Sequence, residues 1–163
     1  MSKGYSGHFK KTKGMRHGKG TLRRLQRQTL AEWAKKKLAS LGRRKAKAIN
    51  TACLAYDERT GKTYFGINKG ISLNGSPKNP IIFGNETSLG LLPKDSLNQY
   101  PLGNCAEVDA INNALNDGAK LENLHIFTAH VTKGKFGQAK CACQNCTQAF
   151  RGKIKSNNSG WSD

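Results

Sequence analysis

The chain has 163 residues, enough for one domain with a proper hydrophobic core and too few for two. It contains no run of about 18 apolar residues, and no apolar stretch follows its first basic residues, so neither a membrane-spanning helix nor a secretory signal is visible. Of the formal charge of +18, residues 1–50 carry +15, from 16 Lys/Arg against Glu32 alone. A strongly basic leader thus precedes a nearly balanced body, which implies a polyanionic partner: nucleic acid, an acidic protein or an anionic surface.

Residues 1–20 mix five glycines with six Lys/Arg and show no periodic apolar face, so they are expected to stay mobile until bound. From Thr21 the pattern changes. Leu22, Leu25, Leu30, Trp33, Leu38 and Leu41 recur near helical spacing and Gly42 supplies a stop. Residues 21–45 therefore read as a basic amphipathic helix that lays Leu and Trp on the core and leaves Lys and Arg in water. The remaining domain is 46–163. It opens with a hairpin of strands over 49–56 and 63–67, rich in β-branched, aromatic and small apolar residues, around the turn DERTGK. Cys53, inside the first strand, is expected to be a buried small hydrophobe.

Residues 69–101 form a 33-residue connection that holds all four prolines. That length predicts either a role for the loop or a short element within it, for which IIF at 81–83 is the candidate. The next helix begins near LGNCAEVDAINNALNDG, with Asn104 as the expected N-cap and Asp117-Gly118 as its end. A strand at 124–131 and a short helix in CACQNCTQAFRGK follow. The 17 residues after Cys146 leave room for one strand. Helix, strand, strand, helix, strand, helix is the order of a layered α/β domain.

Five cysteines is an odd number, and Cys105, Cys141, Cys143 and Cys146 lie in polar, Gly/Asn-flanked segments. This pattern reads as metal chemistry under reducing conditions rather than as a disulfide framework. C-x-x-C at a helix start, Cys143 and Cys146, puts two thiols three positions apart on one face, suited to one Zn²⁺. Cys105-Ala106-Glu107 also stands at a helix start, so two helix N-termini can converge on one ion. Three protein ligands leave a tetrahedral position open for water, the mark of a catalytic site. For Glu107 to reach that region as general base and then general acid, Cys105 must occupy the half-helical first position, because residues two apart on a helix point about 200° from each other. The competing reading adds Cys141 as a fourth ligand and closes a structural site in a nucleic-acid-binding module without catalysis.

[H/C]-x-E followed, after a strand, by C-x-x-C is the zinc deaminase signature. NCAEVDAINNAL, the AYDERTGKTYFGIN hairpin and the closing C-x-x-C resemble the cytidine deaminase-like superfamily, and within it the YwqJ-like deaminases of bacterial polymorphic toxins, over about residues 46–155. The resemblance implies a three-layer sandwich, a mixed sheet with helices on both faces, behind a basic N-terminal extension. It implies Cys105, Cys143 and Cys146 as Zn²⁺ ligands and Glu107 as proton shuttle in the hydrolytic deamination of a nucleobase, cytosine favoured. Asn68, ending the second strand, is placed by position to contact base or sugar, and His130, near the end of the 124–131 strand, to line the pocket. The implied setting is the toxin domain of a larger secreted protein, delivered into a target cytoplasm, with nucleic acid as substrate and an acidic immunity protein as partner. Free nucleosides or nucleotides remain alternative substrates.

Overall fold

The computed structural model describes residues 5–6 and 18–162; the side chains of Tyr5, Ser6 and Lys19 are not described. In chain order its elements are β1 (Tyr5–Ser6), α1 (Lys19–Leu41), α2 (Arg43–Lys47), β2 (Thr51–Asp57), β3 (Lys62–Ile67), α3 (Gly70–Asn74), α4 (Pro80–Phe83), α5 (Ala106–Asn116), a 3₁₀ turn (Leu121–Asn123), β4 (Leu124–His130), α6 (Gln144–Phe150) and β5 (Ser156–Asn157). The expected mobility of residues 1–20 falls mostly outside the described residues. Within that span, Tyr5 and Ser6 pair with Thr63 and Lys62, and residues 19–20 already belong to α1.

One mixed sheet has the order β1-β3-β2-β4-β5, antiparallel except for the short parallel pair β4–β5. β2, between β3 and β4, is buried at all seven positions. TACLAYD therefore reads as a continuous apolar run rather than an alternating one, because both of its faces are covered. Asp57 closes the β2–β3 turn: Oδ1 accepts from Arg59 N at 3.0 Å and Oδ2 from Thr60 Oγ1 at 3.0 Å. Gly61, at φ +77°, takes the left-handed step.

Helices cover both faces. On one face α1 packs Leu22, Leu30 and Ala34 against Leu54, Tyr56, Phe65, Ile67 and Phe127, while Trp33 stacks on Phe65 at 4.7 Å and 6°. The apolar stripe of α1 thus goes to the core as its spacing predicts, and Gly42, at φ +80°, ends the helix before the short α2. On the other face α5 and α6 pack Val108, Ile111, Ala114, Ala149 and Phe150 over Cys53, Ala55, Tyr64 and Ile126. Cys53 is fully buried. The C-terminal segment is tied to α1 through Gln26, whose Oε1 accepts from Asn158 Nδ2 at 2.8 Å and whose Nε2 donates to His125 O at 3.0 Å.

The 69–101 connection carries two short helices, α4 where IIF predicts one and α3, which nothing in the sequence announces. Asparagine side chains hold the loop in place. Asn112 accepts from Asn79 N at 2.7 Å and donates to Pro77 O at 2.9 Å, and Asn116 donates to the same carbonyl at 2.8 Å. Loop backbone packed against a domain needs such partners, since an unpaired buried peptide group costs about as much as a lost hydrogen bond. Among the described residues no helix is long and apolar enough to cross a membrane.

Candidate metal centre

Cys105 is the N-cap of α5, with φ −71° and ψ 150°; the expected N-cap, Asn104, lies one residue earlier. Asn104 instead uses its carbonyl to accept from Lys69 N at 2.9 Å, which ties the end of β3 to the start of α5. The extended conformation at Cys105 meets the condition derived from helix geometry: it turns the thiol toward the ligand cluster while Glu107, two residues on, enters the first helical turn. Cys143 is likewise the N-cap of α6.

The Sγ atoms of Cys105, Cys143 and Cys146 all lie within 4.8 Å of one another, and Cys105 and Cys143 are in hydrogen-bond contact at 2.9 Å. Ligand sulfurs in a tetrahedral site with bonds of about 2.3 Å stand about 3.8 Å apart. Three thiols in this cluster therefore fit a thiophilic divalent ion such as zinc with only small side-chain adjustment. Cys141 is exposed and lies outside the cluster.

Without an ion the thiols share protons. Hydrogen bonds from Cys105 and Cys146 hold Cys143 below the ordinary thiol range. Hydrogen bonding to Cys143 raises Cys105, and hydrogen bonding to Cys105 and Cys143 raises Cys146. Contacts that favour a thiolate suit a cysteine to metal binding, since the thiolate is the form that binds.

Beside the cluster is a cavity of about 150 Å³ lined by Cys105, Cys143 and Glu107 together with Asn50, Thr51, Asn68, Tyr100, Asn104, Lys140 and Cys141. Glu107 is 3 % exposed. Burial pushes its carboxyl up to about 7; the negative Cys143 adds to the rise, while Lys140 and the Thr128 hydroxyl oppose it. Opposite, Lys140 Nζ donates to Thr51 Oγ1 at 2.6 Å and Thr51 Oγ1 donates to Asn50 Oδ1 at 2.7 Å, a short chain of polar groups along the wall.

Asn68 lines the cavity, but most of its amide is engaged. Oδ1 accepts from Asn50 N at 2.9 Å and Thr51 N at 3.1 Å, and Nδ2 donates to Ala48 O at 3.0 Å. Its contribution is to shape the wall. His130 is not among the lining residues: it pairs with Thr51 across β2–β4, and Lys140 takes the place beside Thr51 on the cavity side. Sequence reasoning missed Lys140, Thr51, Asn50 and Tyr100. Lys140 immediately precedes CACQNC, but no spacing rule marks it; its position follows from the backbone bond of Lys140 N to Thr128 O at 2.9 Å, which lays it along β4. It also missed Asn145, which sits between two of the clustered cysteines and grips the long loop. Oδ1 accepts from Leu97 N at 2.8 Å and Nδ2 donates to Ser96 Oγ at 3.1 Å.

Comparison with protein-family models, with curated proteins and with solved structures finds no match. What the centre does must be argued from its geometry.

Proposed function

We propose that the chain is a zinc-dependent hydrolytic deaminase of a nucleobase, cytosine favoured, with a domain of the cytidine deaminase-like kind. The observation that carries this reading is the meeting, in one small cavity, of a three-thiol cluster and a buried carboxyl two residues from one of its ligands. A structural zinc site gives no reason for that carboxyl, and Cys141, which a four-thiolate site requires, stands apart from the cluster.

The metal, when bound, supplies Lewis acidity beside the cavity. Glu107 moves the protons. As carboxylate it accepts a proton from the water that attacks the amidine carbon, and as carboxylic acid it returns that proton to the departing amino group; the carbon–nitrogen bond breaks, ammonia leaves, and the added hydroxyl's remaining proton passes to the ring nitrogen, leaving a carbonyl. The buried setting of Glu107 suits both protonation states. Asn68 holds the backbone of residues 48–51 as a fixed wall, so that Thr51 and Asn50 keep their places against the base. Lys140, tethered to Thr51, presents a positive charge to a substrate oxygen.

The proposal extends to the setting: a toxin domain of a larger secreted protein, acting on nucleic acid in a target cytoplasm and neutralised by an acidic immunity protein. The net charge of +18 supports both partners, since each is a polyanionic surface. The test is to express the chain in cells, sequence DNA and RNA, and compare with the Glu107→Gln variant. C-to-T or C-to-U changes confined to the unaltered chain are expected; base changes equal in the two overturn the reading.

A further inference from the structure

Residues 20–47 hold ten Lys/Arg and one acid, Glu32. The salt bridges among the described residues, Lys62–Asp117 and His125–Glu58, use none of the ten. Cations in such number, fixed along α1 and α2, create a positive field that a polyanion relieves. On this surface a groove of about 480 Å³ runs between α1, which supplies Arg24, Arg27 and Lys35, and the turn before Lys140, which supplies Phe136 and Gly137. Arg27 Nε donates to Gly137 O at 2.9 Å, which fixes its guanidinium across the groove and leaves the Nη groups for a ligand. Guanidinium and ammonium groups beside one aromatic ring are the elements with which proteins hold a single strand: cations for phosphates, a ring for a base.

The groove also lies near the cavity. Lys140 lies four positions after Phe136, a step of at most about 14 Å of extended chain, and Lys140 is bonded to Thr51 inside the cavity. Even at the stacked spacing of about 3.4 Å per nucleotide, at most about four nucleotides cover that distance.

We propose that this groove is the track for a single-stranded nucleic acid: Arg24, Arg27 and Lys35 neutralise its phosphates, a base stacks on Phe136, and a base within about four nucleotides of it enters the cavity at Glu107. The binding step stands on the groove alone; its last clause rests on the deaminase reading. A single strand is favoured over a duplex because a base must leave its stack to enter the cavity. It is favoured over an acidic protein because the groove sets an aromatic ring, Phe136, among its cations.

The experiment titrates full-length Glu107→Gln protein into a labelled oligothymidine about 12 nucleotides long over a salt series. Three further substitutions are added in turn to that background. Arg24→Gln/Lys35→Gln removes two phosphate contacts and should reduce the slope of log K against log salt by about 1.4. Phe136→Leu keeps the apolar packing but removes the ring, and should weaken binding several-fold with the slope unchanged. Arg59→Gln/Lys120→Gln, on charges outside the groove, should alter neither; unfolding midpoints confirm that each variant is folded. A slope unchanged in Arg24→Gln/Lys35→Gln, equal losses in the Arg59→Gln/Lys120→Gln control, or tighter binding of polyglutamate than of the oligonucleotide overturns the track. In the Glu107 background, deamination of oligonucleotide and mononucleotide is then compared among groove variants. Loss on the oligonucleotide alone is expected. Normal turnover of both would sink the track and leave the deaminase reading standing, whereas groove-dependent binding with no base change on any substrate would do the reverse.

Discussion

Two neighbouring rows of residues cross the same three strands and face opposite ways. Gly66, Cys53 and Thr128 lie side by side under α5, and Phe65, Leu54 and Phe127 lie side by side under α1. The first row is small and the second is bulky, and the difference sets how near each helix comes. A Cβ built at Gly66 would stand 2.3 Å from Ala110 N and 2.5 Å from Ala106 O, so α5 rests directly on the backbone of β3. On the other face Trp33 and α1 are held off by rings. The small row brings the N-terminal turn of α5, and with it Glu107, down into the sheet beside Thr128; the bulky row anchors a helix whose outer surface is free to carry charge. One face places Glu107 and Cys105 closely against the sheet, and the other is built for burial.

If so, substitutions on the two faces should separate activity from stability. The largest effect expected is from Glu107→Gln. It keeps size and polarity but removes the proton acceptor, so turnover should fall by more than the ~10²–10⁴ usual for acid–base catalysis, with metal content and unfolding midpoint close to those of the parent. Metal analysis beside single-turnover kinetics reads both. On the other face, Leu30 is 1 % exposed within the α1 cluster. Leu30→Ala should cost about 2–5 kcal/mol in denaturant unfolding while the rate per folded molecule stays unchanged. A Glu107→Gln protein that fails to fold, or a Leu30→Ala protein that folds well but turns over slowly, would dissolve the distinction.

Gly66→Ala is the substitution that should join the two. The added methyl meets backbone of α5 rather than a movable side chain end, so the helix must shift. The expected cost is about 1–3 kcal/mol in stability, with a fall in turnover out of proportion to it because Glu107 and Cys105 ride on the same turn. Loss of stability without that additional kinetic defect would mean that the small row packs α5 but does not position it.

Legibility in the sequence followed the same division. The α1 face could be read from periodicity alone, since leucines at helical spacing have only the core to go to. The three clustered cysteines and the nearby Glu107 could be picked out from a local motif, and Cys105 takes the half-helical position that helix geometry demands. What stayed hidden depends on contacts between distant segments. Lys140 reaches Thr51 because two strand ends lie side by side, and Asn68 meets the 48–51 backbone because β3 returns there. Asparagines 112, 116 and 145 look like ordinary helix-surface amides until the long loop folds over them. Asparagine favours the N-cap position in general, which points to Asn104, whereas here the next residue takes the extended conformation and the Asn104 carbonyl accepts from Lys69 N.

A smaller effect tests how dry the close-packed face is. Burial raises the Asp109 carboxyl from 3.8 to about 6, although Ile67 N donates to it at 2.9 Å. Between those values the folded chain binds a proton that the unfolded chain has lost, so this group's contribution to stability rises as pH falls through about 6 and is complete below about 3.8. The stability of the parent relative to Asp109→Asn should therefore increase by about 1 kcal/mol between pH 7 and pH 5. Urea unfolding of both proteins at the two pH values measures it. A parent that loses ground on acidification would mean that the carboxylate, not the acid, is the form the fold prefers.

The smallest effect expected separates the metal cluster from the edge of its cavity. Cys141 precedes Cys143 by two residues and lines the cavity, yet it is exposed and stands outside the three-thiol group, with Gly160 close enough that a Cβ there would approach its sulfur to 3.2 Å. A fourth thiolate would saturate a tetrahedral ion and leave no position for a substrate or a water; three leave one. Cys141→Ser should accordingly keep one metal per chain, its affinity and its turnover, whereas Cys105→Ser, Cys143→Ser or Cys146→Ser should each empty or sharply weaken the site. Elemental analysis after dialysis against a competing chelator gives the count, and cobalt substitution gives the ligand number through the intensity of its visible bands. If Cys141→Ser loses the metal as readily as Cys146→Ser, the site is a closed four-thiolate staple, and Glu107 is a buried acid beside a structural ion.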